Sequence, residues 1–275
     1  MLKKIFEFIK YLLSFLSKKE EVVIDDGTTE TTEPSIENED DTDTTDDVQS
    51  ASTEPVVIEN EQSGFVSDFK ILVDNGHGDN TPGKRSPWSA HGVEPKLDFY
   101  EYKWNREISA PIVEELRKRG YDAEILVPEI TDISLTERYQ RVNKVCKDIG
   151  ANKVILVSIH SNAAGRGDKW MTAQGWSAFT TKGNTKSDTL AEFLYDEAEK
   201  NFEGRKIRSE KSDGDRDWES NFTIIYKSLC PAVLTENFFY DNEDDVKYIL
   251  SEEGRNAVIK THVDGIINYI KSTEK

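Results

Sequence analysis

The chain has 275 residues, with 53 acidic against 35 basic side chains and a formal charge of -18 at pH 7. That charge is concentrated: residues 20–67 hold 16 of the carboxylates and no Lys or Arg, which leaves 37 acidic against 35 basic groups elsewhere. No surplus of cations is available to neutralise a run of phosphates, which excludes an electrostatic grip on nucleic acid. Two cysteines, Cys146 and Cys230, are too few to staple a scaffold and read as buried free thiols.

Three segments follow in chain order. Within residues 1–19, Leu2, Ile5, Phe6, Ile9, Leu12, Leu13 and Leu16 recur at steps of three and four with Lys3, Lys4, Glu7 and Lys10 opposite, an amphipathic helix pattern. Glu7 and Lys10 make the stretch too short and too charged for a membrane span or an ordinary cleavable signal peptide. Membrane-surface contact through residues 2–17 fits better, with docking on a protein surface as the alternative. Residues 20–67, acidic and rich in Thr and Ser, cannot bury a core and read as a disordered, self-repelling tether.

Residues 68–275 alternate short apolar runs with helical patterns, which predicts an α/β fold: a single mostly parallel sheet with helices on both faces. Strands are expected at Lys70 to Val73, Ala123 to Val127, Lys153 to Ser158, Trp176 to Thr180 and Ala232 to Thr235. Helices are expected from about Ile108 to Arg119, with Pro111 in the first turn or at a kink, from Ser134 through Cys146, from Ser187 through Phe202, and over about 253–271. Ser134 with Glu137 has the spacing of a capping box, and Ser187 is the expected cap of the third helix.

His77, in Val73-Asp74-Asn75-Gly76-His77-Gly78, and His160, in Ser158-Ile159-His160-Ser161-Asn162-Ala163, both follow apolar strands, where open α/β sheets place their sites. Two imidazoles invite a carboxylate to complete a zinc-type ligand set, and Glu94, Asp98 and Glu101 are the nearby choices. Glu236 ends the apolar run Pro231-Ala232-Val233-Leu234-Thr235, where a carboxylate is costly without a task or partner, so it is a general base or a strand-end ion pair. His262 lies on the apolar-periodic last helix and reads as structural.

These motifs, with Glu101-Tyr102-Lys103-Trp104-Asn105 between them, resemble in order and type the zinc-dependent N-acetylmuramoyl-L-alanine amidases, which include cell-wall amidases and phage or prophage endolysins. The likeness covers about residues 69–272. It implies one zinc ion held by His77, Glu101 and His160, catalysis assisted by Glu236, and the amide between N-acetylmuramic acid and L-alanine in peptidoglycan as substrate. It further implies a bacterial cell-envelope location or release of a phage enzyme to the wall. Asp74 is expected to orient a ligand histidine. Asn162 and Asn237 are expected to contact substrate or brace their loops. Arg216 resembles part of a substrate-facing segment.

The stretch between His77 and Glu101 is longer than is usual in that family. Arg85 and Trp88 within it suit a carboxylate and a sugar or peptide face, or belong to a plain exposed loop; His91 is a further imidazole there. Two other functions fit the ligand set: a zinc amidohydrolase or peptidase of different specificity, or a non-catalytic wall-binding module.

Overall fold

The computed structural model describes residues 64–94, 96–212 and 214–274. The amphipathic stretch 2–17 and nearly all of the acidic segment lie outside the described residues. Backbone pairing begins at Val66, whose N–H donates to the Gly120 carbonyl at 2.9 Å, and the Ser67 hydroxyl donates to Glu274 at 2.5 Å.

Six strands, β1 (Lys70–Asn75), β2 (Asp122–Ile125), β3 (Val154–Asn162), β4 (Ser177–Thr180), β5 (Trp218–Glu219) and β6 (Ala232–Phe239), form one sheet in the order β2-β1-β3-β6-β4-β5. β1 runs parallel to β2 and β3, and β3 runs parallel to β6. β4 is antiparallel to β6 and carries β5 beside it, so the mostly parallel sheet reverses at one edge.

The helices are α1 (Glu101–Lys118), α2 (Leu135–Ile149), α3 (Lys186–Asn201), α4 (Thr223–Lys227), α5 (Glu243–Leu250) and α6 (Glu252–Thr273). Strand side chains alternate between faces, and both faces are covered. Ile71, Val73, Ile155, Val157 and Val233 pack with Ile108 of α1, Leu190 of α3 and Val263 of α6. Leu72, Val154, Leu156 and Leu234 pack with Val142 of α2 and Ile224 of α4. Cys146 and Cys230 lie buried as free thiols in the second cluster, as their apolar neighbours imply.

Sequence-based expectations differ from the structure in three places. α1 begins at Glu101, so Pro111 lies well inside it rather than in its first turn. The cap of α3 is Thr185, whose hydroxyl accepts from the Ser187 N–H at 3.0 Å while Asp188 accepts from the Thr185 N–H. Ser187 instead accepts from the Ala232 N–H at 3.1 Å, tying α3 to β6. Loss of a box of this kind costs about 1 kcal/mol, so Thr185→Ala is expected to lower Tm by about 2–4 °C in a thermal melt. Finally, the short β5, α4 and α5 carry too little periodicity to be foreseen.

Candidate active site and metal centre

The chain leaves β1, returns through α1 to β2 on one side, and crosses through α2 to β3 on the other. The carboxyl ends of β1 and β3 therefore open a crevice at the switch point, and both histidines lie there. Glu101, the first residue of α1, is 1% exposed and its Oε1 faces both imidazoles: 3.4 Å from His77 Nε2 and 3.1 Å from His160 Nδ1. The two rings meet edge to face, with centroids 4.9 Å apart at 87°. Of the three carboxylates left open by sequence reasoning, the structure brings in Glu101 and leaves Glu94 and Asp98 on the exposed loop.

The three residues that could hold a metal are held by backbone geometry as much as by side chains. His77 has φ 65, the left-handed region that costs a residue with a Cβ about 1–2 kcal/mol. Two guanidinium groups grip its carbonyl: Arg106 at 2.9 Å and Arg138 at 3.3 Å. Gly76 lies face-on to His160, and a Cβ there would lie 2.6 Å from Nδ1, with other ring atoms closer. Asn105, one turn along α1 from Glu101, donates to the Gly76 carbonyl at 3.1 Å, and Ser161 N–H donates to Glu101 Oε1 at 3.1 Å.

Glu236 enters from β6, where it is the registered partner of His160, and the register slips just beyond them, between His160 and Asn162. Such a bulge re-aims the side chains around it. Phe238, two residues on, has φ 68, so backbone strain sits at both ends of the site. One oxygen each of Glu101 and Glu236, Oε2 in both, is buried without a hydrogen-bond partner.

Electrostatics separate the two carboxyls. Burial opposes the charge on Glu101, but hydrogen bonds from His160 and His77 outweigh it and hold the group far below the usual carboxylate range. Burial opposes protonation of His160 too, and Glu101 again reverses the balance and raises it. Glu236 has no such partner: burial, reinforced by the Glu101 charge and opposed by His160 and Lys84, pushes it up to about 8. Two carboxyls driven in opposite directions are the pattern of a site with separate binding and proton-transfer groups. A cleft of about 300 Å³ opens beside the two histidines, lined in part by His77, His160, Asp132, Ser134 and Arg138.

The other foreseen residues have different places. Asp74 contacts neither histidine; its oxygens take Arg138 and the Ser158 hydroxyl, each at 2.5 Å, so it anchors the arginine that grips His77. Asn237 is fully buried and stitches strands together, accepting from the Trp176 indole N–H at 2.9 Å and donating to the His160 carbonyl at 2.9 Å. Asn162 accepts from its neighbour Ala163 N–H at 2.8 Å and braces the loop after β3. Arg85 stacks on Trp88, and His91 packs between Trp88 and Tyr100, outside the ligand group. His262 is buried on α6, bonded to Thr235 at 2.9 Å, and burial pushes its pKa down to about 4.

Arg216 is not brought to the site. It precedes the edge strand β5, two strands away from β6, and pairs there with Glu192, Asp196 and Glu199 of α3. Beside it Asp217 shares the Thr180 hydroxyl with Asp188. Burial pushes the Asp217 carboxyl up to about 7, with the Thr180 hydroxyl opposing and the charges of Asp215 and Asp188 adding. The folded state thus binds this proton more tightly than the unfolded chain. Its contribution is whole below the unfolded value of about 4 and is lost as pH rises to about 7. Asp217→Asn is therefore expected to raise Tm at pH 8 without added divalent cations, by about 2–4 °C per kcal/mol recovered, and to give no gain at pH 4.

An open α/β sheet with two imidazoles, a buried carboxylate and a second, proton-holding carboxyl at its switch point defines a hydrolase-type site. Residues 71–268 match the family model described as N-acetylmuramoyl-L-alanine amidase. The chain belongs to that family, and it is an enzyme of the amidase type. Among curated proteins it is 24% identical to the endolysin of Bacillus phage SPP1 over 74% of this chain and 67% of that one. It is also 24% identical to the amidase CwlM of Bacillus licheniformis, over 72% and 67%. The same fold is seen in an N-acetylmuramoyl-L-alanine amidase from Clostridium difficile 630 (TM-score 0.59, 24% identity, 74% of this chain and 97% of that one). It recurs in AmiC2 of Nostoc punctiforme (TM-score 0.58, 21% identity, 74% and 98%).

Proposed function

We infer that this amidase is zinc-dependent and hydrolyses the amide between N-acetylmuramic acid and L-alanine in bacterial peptidoglycan. The observation that carries the reading is the convergence of His77, Glu101 and His160 on one point, with Glu236 entering from the next strand. Donors about 2.1 Å from a tetrahedral zinc lie about 3.4 Å from one another. The Glu101 oxygen stands 3.4 and 3.1 Å from the two imidazole nitrogens, and the group offers the N and O donors that zinc favours. The buried, unbonded Glu101 Oε2 is a further free donor atom.

When bound, zinc supplies a Lewis acid that polarises the scissile carbonyl and favours ionisation of water near neutral pH. The chain's own groups do the rest. Glu101 keeps its charge and offsets that of the ion. Glu236 accepts a proton from the attacking water and returns it to the alanine nitrogen, which must leave as an amine because an amide anion leaves poorly. A nearby cation lowers the affinity of Glu236 for its proton from the high value it has alone, towards neutrality. A non-catalytic module has no use for a buried carboxyl with an unbonded oxygen beside the ligands.

The relatives named as endolysin and amidase support a place at the cell wall or envelope; among the described residues no helix is long and apolar enough to cross a membrane. The test is release of new N-terminal L-alanine from purified peptidoglycan. It is expected to be abolished by a chelator and restored by zinc. Metal-independent release, or cleavage at a different amide, would overturn the reading.

A further inference from the structure

The segment between His77 and Glu101 is a built loop. Residues 84–86 pair with 99–101: Ser86 N–H donates to the Phe99 carbonyl at 3.0 Å, Glu101 N–H donates to the Lys84 carbonyl at 2.9 Å, and Arg85 faces Tyr100 in an antiparallel bridge. The buried Ser86 hydroxyl closes the clasp, donating to the Leu97 carbonyl at 2.8 Å and accepting from the Phe99 N–H at 3.1 Å. One end of the clasp is thus the ligand Glu101 itself. The loop after β3 abuts the other side, where a Cβ on Gly167 would lie 3.7 Å from the carbonyls of Gly83 and Arg85.

On this loop Trp88 is 64% exposed yet fixed in orientation. The Arg85 guanidinium lies 3.0 Å from the centre of one indole face. His91 meets the same ring at 5.1 Å, and Tyr100, which precedes Glu101, meets His91 at 5.6 Å. An aromatic run therefore leads from Tyr100, next to Glu101 in the chain, through His91 to a largely exposed indole. Its neighbours in the chain are mostly polar, with Lys84, Arg85, Ser89 and His91, and among its described residues the loop exposes only Val93 and Tyr100 as further large apolar side chains, where a protein or lipid partner needs a contiguous apolar area.

The geometry points to Trp88 as a stacking platform for a pyranose ring of the glycan strand, the sugar flanking the muramoyl residue whose amide lies at the metal centre. The assignment rests on the amidase reading above. A pyranose offers axial C–H bonds to a flat ring and hydroxyl and acetamido groups to donors around it, which suits an indole rimmed by Arg and His. A ring already held by Arg85 and His91 loses little freedom on binding. The flanking sugar, rather than the muramoyl one, is assigned because Lys84, not Trp88, is the loop residue paired with Glu101.

Two measurements test this on the full chain. The first compares kcat/KM on glycan strands with that on single-sugar muramoyl peptides. Trp88→Ala is expected to lower the ratio of the two about tenfold, the scale of one lost aromatic stacking contact, chiefly through KM, and Trp88→Phe to restore most of it. The second is direct binding of peptide-free glycan strands, read by isothermal titration calorimetry, which needs neither turnover nor the indole as reporter: wild type is expected to bind and Trp88→Ala to lose binding. An unchanged ratio with unchanged strand binding overturns the platform. So does a loss that follows stem-peptide length instead of glycan length, which would make the loop a peptide site. Wild type that binds strands but releases no alanine from either substrate would instead fail the amidase reading and leave the platform standing.

Discussion

The Glu236→Gln enzyme is expected to hold zinc as the wild type does and to release alanine more slowly by about 10²–10⁴-fold, the range of a lost general acid–base group. The substitution keeps the shape and hydrogen-bonding capacity of the side chain and removes only its ability to take and return a proton. Because Glu236 hydrogen-bonds to none of the three ligand residues, and touches Glu101 and His160 only through their charges, the metal centre has no reason to collapse. The loss should fall on kcat with KM little changed, since the group acts on the water and the leaving nitrogen rather than on binding. Steady-state rates with metal analysis on the same preparation check both halves. A Gln variant of near-normal rate would remove Glu236 from the reaction.

Gly76→Ala is expected to take zinc content from one per chain to near zero, although the residue itself offers no ligand. The new methyl group would overlap the His160 ring, and the backbone beneath it has little room to move. Gly76 N–H donates to the Ile159 carbonyl at 3.1 Å, and its own carbonyl accepts from Asn105 at 3.1 Å. The ring therefore must turn, and with it the nitrogen that faces Glu101. Overpacking of this kind costs about 1–3 kcal/mol, which a domain with two well-filled cores survives. Folded protein without metal, seen by circular dichroism and metal analysis, is the expected outcome; a fully loaded Gly76→Ala protein would show that His160 is not a ligand.

Much of this site was legible in the sequence because strand ends are. His77, His160 and Glu236 each follow an apolar run, and a parallel sheet collects such positions at one edge. Glu101 was harder: it begins a helix whose periodicity becomes clear only downstream near Ile108, so Glu94 and Asp98 competed with it until the Glu101 to Asn105 motif was weighed. Asn105 shows why that motif has its spacing, since one helical turn places the amide on the Gly76 carbonyl while the carboxylate meets the histidines.

What was misread depends on partners distant in sequence. Asp74 sits beside the site but is claimed by Arg138, 64 residues away and carrying no motif of its own. Arg216 was expected near substrate only through the likeness of its segment to a substrate-facing one, and that likeness does not reveal the three carboxylates of α3 that hold it. Asn237, left open between substrate contact and bracing, braces: alternation along the strand points it into the sheet.

The proposed reaction depends on the metal and on what holds it. X-ray absorption at the zinc edge, with metal content measured on the same purified chain, tests that most directly. It should show about one zinc per chain, bound by two imidazole nitrogens and oxygen donors at about 2.0–2.2 Å. A chain that takes up no zinc, or a zinc whose spectrum shows sulfur at about 2.3 Å or no imidazole, would contradict the assignment of His77, Glu101 and His160.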